Sequence, residues 1–184
     1  MSRLIKTLIL ILFVFFGYHV VYAQKWQKTI DKADASYEEG DYEGAKKELE
    51  KFKNQLTKKL GEKNDYLPVY YLRTAKFNLA LGYLIQFEDQ IQKALESSIA
   101  TYGEESRDHG IQLIKVAEIV AHYGDFVSAK SYLDQGIQVL EANDAYDKNA
   151  QAKVELTKAE ILTGQGYYSE SLKLIDQHLD YLRS

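Results

Sequence analysis

A chain of 184 residues with 46% hydrophobic and 27% charged residues has a globular composition, which excludes a disordered chain and sets the size at one domain or one short repeat array. It holds no cysteine, so disulfides, a cysteine nucleophile and the acylated thiol of a lipoprotein are all excluded. The formal net charge is −4 with no basic run, a poor match to nucleic acid or anionic lipid.

The first element is an N-terminal leader, residues 1–23. Arg3 and Lys6 precede an uncharged run of 17 residues, TLILILFVFFGYHVVYA, and Val21 and Ala23 place small residues ahead of Gln24. This is the pattern of a secretory signal peptide cleaved before Gln24. An uncleaved membrane anchor is the alternative. The run is at the short end of what spans a bilayer, however, and Gly17, Tyr18 and His19 weaken its second half. Lys25 and Lys28 put cations on the far side too, so flanking charge does not settle orientation. Cleavage leaves residues 24–184 with a net charge of −6, because the leader carries two cations and no acid. Export to the periplasm or medium is the expected localisation; a membrane-anchored form facing the periplasm is the alternative.

The rest of the chain repeats. Gly40, Gly82, Gly124 and Gly166 stand 42 residues apart. Glycine alone is only suggestive, but Ala33, Ala75, Ala117 and Ala159 keep the same spacing, each seven residues before its glycine. Ile30, Leu72, Ile114 and Leu156 form an aliphatic column, and Leu49, Ile91, Leu133 and Ile175 another. Tyr42, Leu84, Phe126 and Tyr168 are large and apolar.

Each unit reads as two helices. From Trp26, Pro68, Gly110 and Ala152 apolar residues recur at helical spacing up to the glycine, and a second amphipathic stretch follows it. The single proline, Pro68, agrees with long uninterrupted helices. The glycine is expected just past the first helix, where a left-handed backbone closes the helix cheaply only without a β-carbon. Asp41 and Asp125 are expected to cap the second helix; Tyr83 and Tyr167 occupy that place in the other units, where capping has to come from elsewhere. Alanine and glycine, two turns apart, share one face of the first helix and let the second fold back closely. The units are 26–67, 68–109, 110–151 and 152–184.

The stretches ADASYEEGDYEGAKKELEKF and AEIVAHYGDFVSAKSYLDQG carry a small residue, an aromatic, Gly-Asp-aromatic, Ala, then aliphatic or aromatic positions. They resemble the tetratricopeptide repeats, over residues 26–184. The usual unit of that family has about 34 residues, and eight more add about one turn to each helix. The longer period is similar to the kinesin-light-chain-like variety, whose Leu/Tyr-Gly-Glu linker is kept at Gly61 and Gly103. The chain departs from it at Asn64-Asp65 and Ser106-Arg107, where His-Pro is usual, and at Arg73 and Thr74, where paired asparagines stand. That cargo recognition is therefore not carried over. The resemblance implies an all-α, right-handed α-solenoid of four helix-turn-helix units after the signal peptide, with the first helices lining a concave groove.

The positions this groove would present vary in chemistry between units, as suits a surface reading different parts of a protein or peptide. The candidate partner-binding residues are Asp34, Tyr37, Val69, Arg73, Lys76, Leu79, Ile111, Glu118, His122 and Glu160. Solvated helix faces also vary, so each position alone is equally well read as plain surface. The basic clamp with which some members grip a terminal carboxylate is missing, since Lys76 is the only cation of its column, with Arg73 one turn earlier. Of 15 tyrosines, Tyr42 and Tyr168 fall in the apolar column and are expected inside, while Tyr66, Tyr70 and Tyr71 lean toward surface.

Catalysis has little support. His109, His122 and His178 show no metal-ligand spacing, no Gly-x-Ser-x-Gly or phosphate loop occurs, and the carboxylates fall on polar helix faces. The chain is read as a non-enzyme with no cofactor and no metal. In the last unit Leu172, Ile175, Leu179 and Leu182 form one apolar stripe with no polar cap after it. That stripe is expected either to self-associate with another chain or to continue into a longer protein. The reading that results is an exported protein-binding scaffold. Its alternatives are the assembly or sensory segment of a larger envelope protein, and a glycan- or lipid-handling envelope component.

Overall fold

The structure, a computed structural model, describes residues 26–61 and 63–183, with the side chains of 180–183 outside the description. The leader, in either of its readings, lies outside the described residues, as does the side chain of Leu182. Every regular element among the described residues is a helix, and none is long and apolar enough to cross a membrane. The elements are α1 (26–38), α2 (Tyr42–Leu60), α3 (Tyr66–Ala80), α4 (Leu84–Tyr102), α5 (Arg107–Tyr123), α6 (Phe126–Ala142), α7 (Lys148–Gly164) and α8 (Tyr168–Arg183). The chain divides after Lys58 into two compact units.

The glycine ladder explains the helix ends. Gly40, Gly82, Gly124 and Gly166 have φ of +84°, +75°, +96° and +86°, the left-handed region that a β-carbon disfavours. At each corner the glycine N–H donates to the carbonyl three residues back, and the next N–H donates to the carbonyl five residues back. Tyr83 N thus donates to Asn78 O at 2.8 Å, and Tyr167 N to Leu162 O at 2.8 Å. All four first helices therefore end in the same Schellman closure, which satisfies carbonyls otherwise left open at a helix end.

The helix starts depend on caps. Asp41 Oδ1 accepts from Gly44 N at 2.9 Å and Asp125 Oδ1 from Ser128 N at 3.0 Å, as expected for these two residues. First helices begin ahead of their apolar periodicity because upstream side chains cap them. Asn64 Oδ1 accepts from Tyr66 N and Leu67 N, Ser106 Oγ from His109 N, and Asp147 Oδ1 from Ala150 N. Asn64 and Ser106 stand at one register position, 42 residues apart, so two of these three caps come from a single column. Pro68 sits within the first turn of α3, where its missing N–H removes no intrahelical bond. Where Gly61 and Gly103 turn the earlier linkers, the α6–α7 linker has Ala145, and Asp144 takes the positive φ instead, at +52°.

In the N-terminal unit, α1 and α2 are tied by Lys32 Nζ to Glu48 Oε1 at 3.0 Å, and Ala33, Ala45 and Leu49 have no exposed surface. In the C-terminal unit, α3–α4, α5–α6 and α7–α8 fold back as pairs. The first helices lie side by side, α3 on α5 and α5 on α7, while α4 packs on α5 and α6 on α7. One core runs through them, including Leu72, Phe87, Ile114, Leu133, Val154 and Ile161. Close approach is built by small residues. Ala75 and Ala117 are fully buried, and a β-carbon on Gly136 would fall 2.9 Å from Ile114 Cγ1 and 3.0 Å from Gly110 O. Gly164 of α7 receives the Phe126 ring of α6 so closely that no β-carbon would fit.

The tyrosines correct two expectations. Tyr168, expected inside, is 63% exposed, because no helix among the described residues lies on α8 as α7 lies on Phe126. Tyr70, expected at the surface, is buried with its ring 5.1 Å from that of Tyr71, because it lies on the core side of α3.

Candidate functional site

The candidate site in the C-terminal unit is the face shared by α3, α5 and α7. On each helix one stripe follows i, i+4, i+7 spacing: Val69, Arg73, Lys76; Ile111, Lys115, Glu118; and Lys153, Thr157, Glu160. Two observations join the stripes. His122 Nδ1 on α5 lies 2.6 Å from Glu160 Oε1 on α7, an ion pair when the imidazole is protonated. Arg73 on α3 and Lys153 on α7 both lie close enough to Lys115 on α5 to help depress its pKa.

Of the ten residues predicted from sequence, eight belong to this unit and none is buried. Val69, Arg73, Leu79, Ile111 and Glu160 are part-exposed, and Lys76, Glu118 and His122 are exposed. Leu79 and Ile111 pack against the core with one side and keep the other open. The remaining two lie on α1 in the N-terminal unit. Asp34 is part-exposed there, and the ring of Tyr37 lies 5.0 Å from that of Tyr42. Burial, and then the neighbouring Tyr42, push the Tyr37 phenol above its usual pKa.

Lys115 is the residue that sequence reasoning misses. Partial burial lowers its pKa first, the neighbouring charges of Lys153 and Arg73 lower it further, and Glu118 and Asp108 offset part of the effect. Among the described residues no carboxylate stands within ion-pair distance of its ammonium group. Its signal is present in the column Asp31, Arg73, Lys115, Thr157, of which the sequence reading selects only Arg73. The face is thus more cationic than the column of Lys76 alone suggests, in a chain whose net charge is negative.

A second feature lies between α5 and α6. His109 Nδ1 stands 3.0 Å from Ser98 Oγ, and His109 fronts an open groove of about 600 Å³ with Glu104, Leu113, Gln135 and Val139. Burial lowers the His109 pKa, partly offset by Glu104. A serine beside a neutral imidazole is the geometry of an activated nucleophile, but Ser98 is fully buried, so a substrate cannot reach its oxygen. The pair packs α4 against α5. A matching groove recurs between α7 and α8, with Tyr146, Gln151, Glu155 and Gln177 in the places of Glu104, His109, Leu113 and Gln135. Among the described residues, no group of three or more His, Asp or Glu side chains is placed to hold a metal ion.

No family model matches this chain, and no curated protein is significantly similar to it.

Proposed function

We propose that this chain is an exported, tetratricopeptide-like scaffold that docks a segment of a protein partner on the face of α3, α5 and α7. Identical Schellman corners at a 42-residue period support the repeat reading, and the side-by-side packing of α3, α5 and α7 supports a shared face on which a segment could lie. The observation that carries the binding reading is Lys115, part-buried between Arg73 and Lys153 without a carboxylate of its own. Gathering like charges at a partly desolvated place costs free energy in the free protein. Side-chain carboxylates of a bound segment offset that cost, and the open sides of Val69, Leu79 and Ile111 supply apolar contact beside them.

The test is capture from envelope extract with the chain as bait, compared with Lys115→Glu and Lys153→Glu variants. A protein retained by the wild type and lost from both variants supports the reading. Equal retention by all three, or recovery of glycans or lipids alone, overturns it. Export is tested separately by sequencing the N-terminus of the protein recovered outside the cytoplasm, where Gln24 is the expected first residue. A start at Met1 in the membrane fraction points to the anchor instead.

A further inference from the structure

The 42-residue period gives most positions three counterparts, and several departures from those counterparts meet in one place. Phe87 stands in a column whose other members are Ala45, Ala129 and Ser171. Tyr123 stands with Glu39, Leu81 and Gln165, and Tyr132 with Glu48, Gln90 and Leu174. Glu88 stands between Lys46 and Lys130, so the charge of its column is reversed there. These four residues come from α4, α5 and α6, and together with Gln92 and Asp125 they line one groove of about 280 Å³. The following helices carry Ala129, Lys130, Gln165 and Leu174 at the same four positions and still pack on one another. Stacking of the units therefore does not require the three aromatics or the acid.

The chemistry of the groove is that of a cation site. Phe87, 2% exposed, backs the ring of Tyr123 at a centroid distance of 5.0 Å. Tyr123 is 37% exposed and Tyr132 is part-exposed, and neither hydroxyl has a hydrogen-bond partner among the described residues. Most of the other open polar groups are acceptors. Gln92 Nε2 is engaged by Glu96 Oε1 at 3.0 Å, which leaves the amide oxygen free to accept. Asp125 accepts from Ser128 N as the cap of α6 and adds its negative charge, and the Glu88 carboxylate has no ion-pair partner among the described residues. Aromatic rings beside negative charge and open acceptors suit a cation rich in donors. A guanidinium group is planar, stacks on aromatic faces, is less strongly hydrated than an ammonium and carries donors only. A neutral sugar would need protein donors, which here come mainly from the two tyrosines, and an anion is opposed by Glu88 and Asp125.

We propose that this groove binds a guanidinium group, with the cation against the rings of Tyr123 and Tyr132 and Glu88 as its counter-charge. The site shares no side chain with the face of α3, α5 and α7, so it goes beyond the docking reading and does not depend on it.

Nuclear magnetic resonance titration of the isotopically labelled full chain, with any leader removed by the exporting host, tests the site with N-acetyl-arginine amide as probe. Saturable shifts are expected at Glu88, Tyr123 and Tyr132, with N-acetyl-lysine amide binding more weakly and the neutral N-acetyl-citrulline amide not at all. Two variants borrow residues that other units already carry at the same position, Glu88→Lys from Lys46 and Lys130 and Tyr132→Gln from Gln90. Glu88→Lys should weaken binding at least about tenfold and Tyr132→Gln about threefold, both with the helical circular dichroism spectrum retained. An Ala-Arg-Ala peptide that binds as tightly as the amide assigns the group to the side chain of a partner; a peptide that binds more weakly assigns it to a free guanidine compound. No saturable shift up to about 50 mM arginine probe overturns the proposal. So does equal binding of the citrulline or lysine probe, or undiminished binding by Glu88→Lys.

Discussion

The pairs α5–α6 and α7–α8 are built on the same register, yet the first is closed and the second half open. Leu133 and Ile175 occupy one column, with one buried and the other part-exposed; Ile114 and Leu156 differ more sharply. The side chains are of the same kind, so the difference does not come from the residues themselves. It comes from the helix that follows. α7 lies on α5 and α6, and nothing among the described residues lies on α8 in that way. In a stacked chain each pair supplies half of a core and receives the other half from its neighbour. An apolar column read from sequence therefore says where burial is available, and the neighbour decides whether it happens.

Matched truncations sharpen this contrast most. Leu133→Ala should cost about 3 kcal/mol, since a buried leucine removed from a closed core leaves a cavity. Ile175→Ala, measured in protein dilute enough to be monomeric, should cost less than about 1 kcal/mol. Urea denaturation of both variants measures the difference. Equal losses would mean that α8 is covered as well as α6, and the contrast between the pairs would be gone.

The corners should behave alike where the faces do not. Gly124 and Gly166 both hold a positive φ, and a β-carbon added to either would meet nothing within 4 Å, so alanine would encounter backbone strain and no clash. Gly124→Ala and Gly166→Ala should each cost about 1–2 kcal/mol. A loss at Gly124 alone would show that the last corner is not closed by the same left-handed turn.

Capping separates the pairs again, by a smaller amount. α6 is capped by Asp125, whose carboxyl is held below its usual pKa by hydrogen bonds from Ser128, while α8 begins after Tyr167, an exposed aromatic at the same register position. Asp125→Ala should cost about 1 kcal/mol, and Tyr167→Asp should stabilise by about 0.5 kcal/mol if a carboxylate can take up the free N–H groups of α8. Thermal melts at neutral pH measure both. The Asp125 contribution should be present above the ordinary carboxyl range and disappear as pH falls through its lowered folded pKa.

The parts of this molecule legible from sequence are those fixed by local sterics. The four glycines, Asp41 and Asp125 each meet a requirement within one turn of chain, and the structure places them at the corners and caps as expected. The four alanines are buried, but the glycines do not share their packing role as the sequence reading expects, since a β-carbon on any of the four would meet nothing within 4 Å. The starts of the first helices are less legible, because Asn64, Ser106 and Asp147 act from upstream of any apolar periodicity. Burial of Tyr70 and exposure of Tyr168 run against the sequence reading, since an aromatic column does not say which neighbour covers it. For the candidate site, the ten selected residues all lie on first helices, three of them exposed and seven part-exposed. The cationic cluster escapes a sequence reading because Arg73, Lys115 and Lys153 are distant in the chain and become neighbours only when α3, α5 and α7 pack side by side.

The smallest contrast is in pH response. In α5 the groove-side position holds His109, buried against Ser98 Oγ; in α7 the same position holds Gln151, which does not titrate. Burial holds the folded-state pKa of His109 below the ordinary 6.5, with Glu104 partly opposing the shift. The unfolded chain therefore takes up this proton first as pH falls. The contribution of His109 to stability is fully present above about pH 6.5 and is lost progressively below it, down through the lowered folded pKa. Protonation would also set a charge beside a buried hydroxyl in a place where burial already disfavours it. His109→Gln gives α5 the residue of α7 and keeps a hydrogen-bonding group near Ser98. It should leave stability at pH 7.5 within about 1 kcal/mol of the wild type and flatten the part of the slope between about pH 6.5 and 5 that this imidazole supplies. Urea midpoints at several pH values read the slope directly. An unchanged slope in His109→Gln would assign the acid sensitivity to other groups and make the two grooves equivalent.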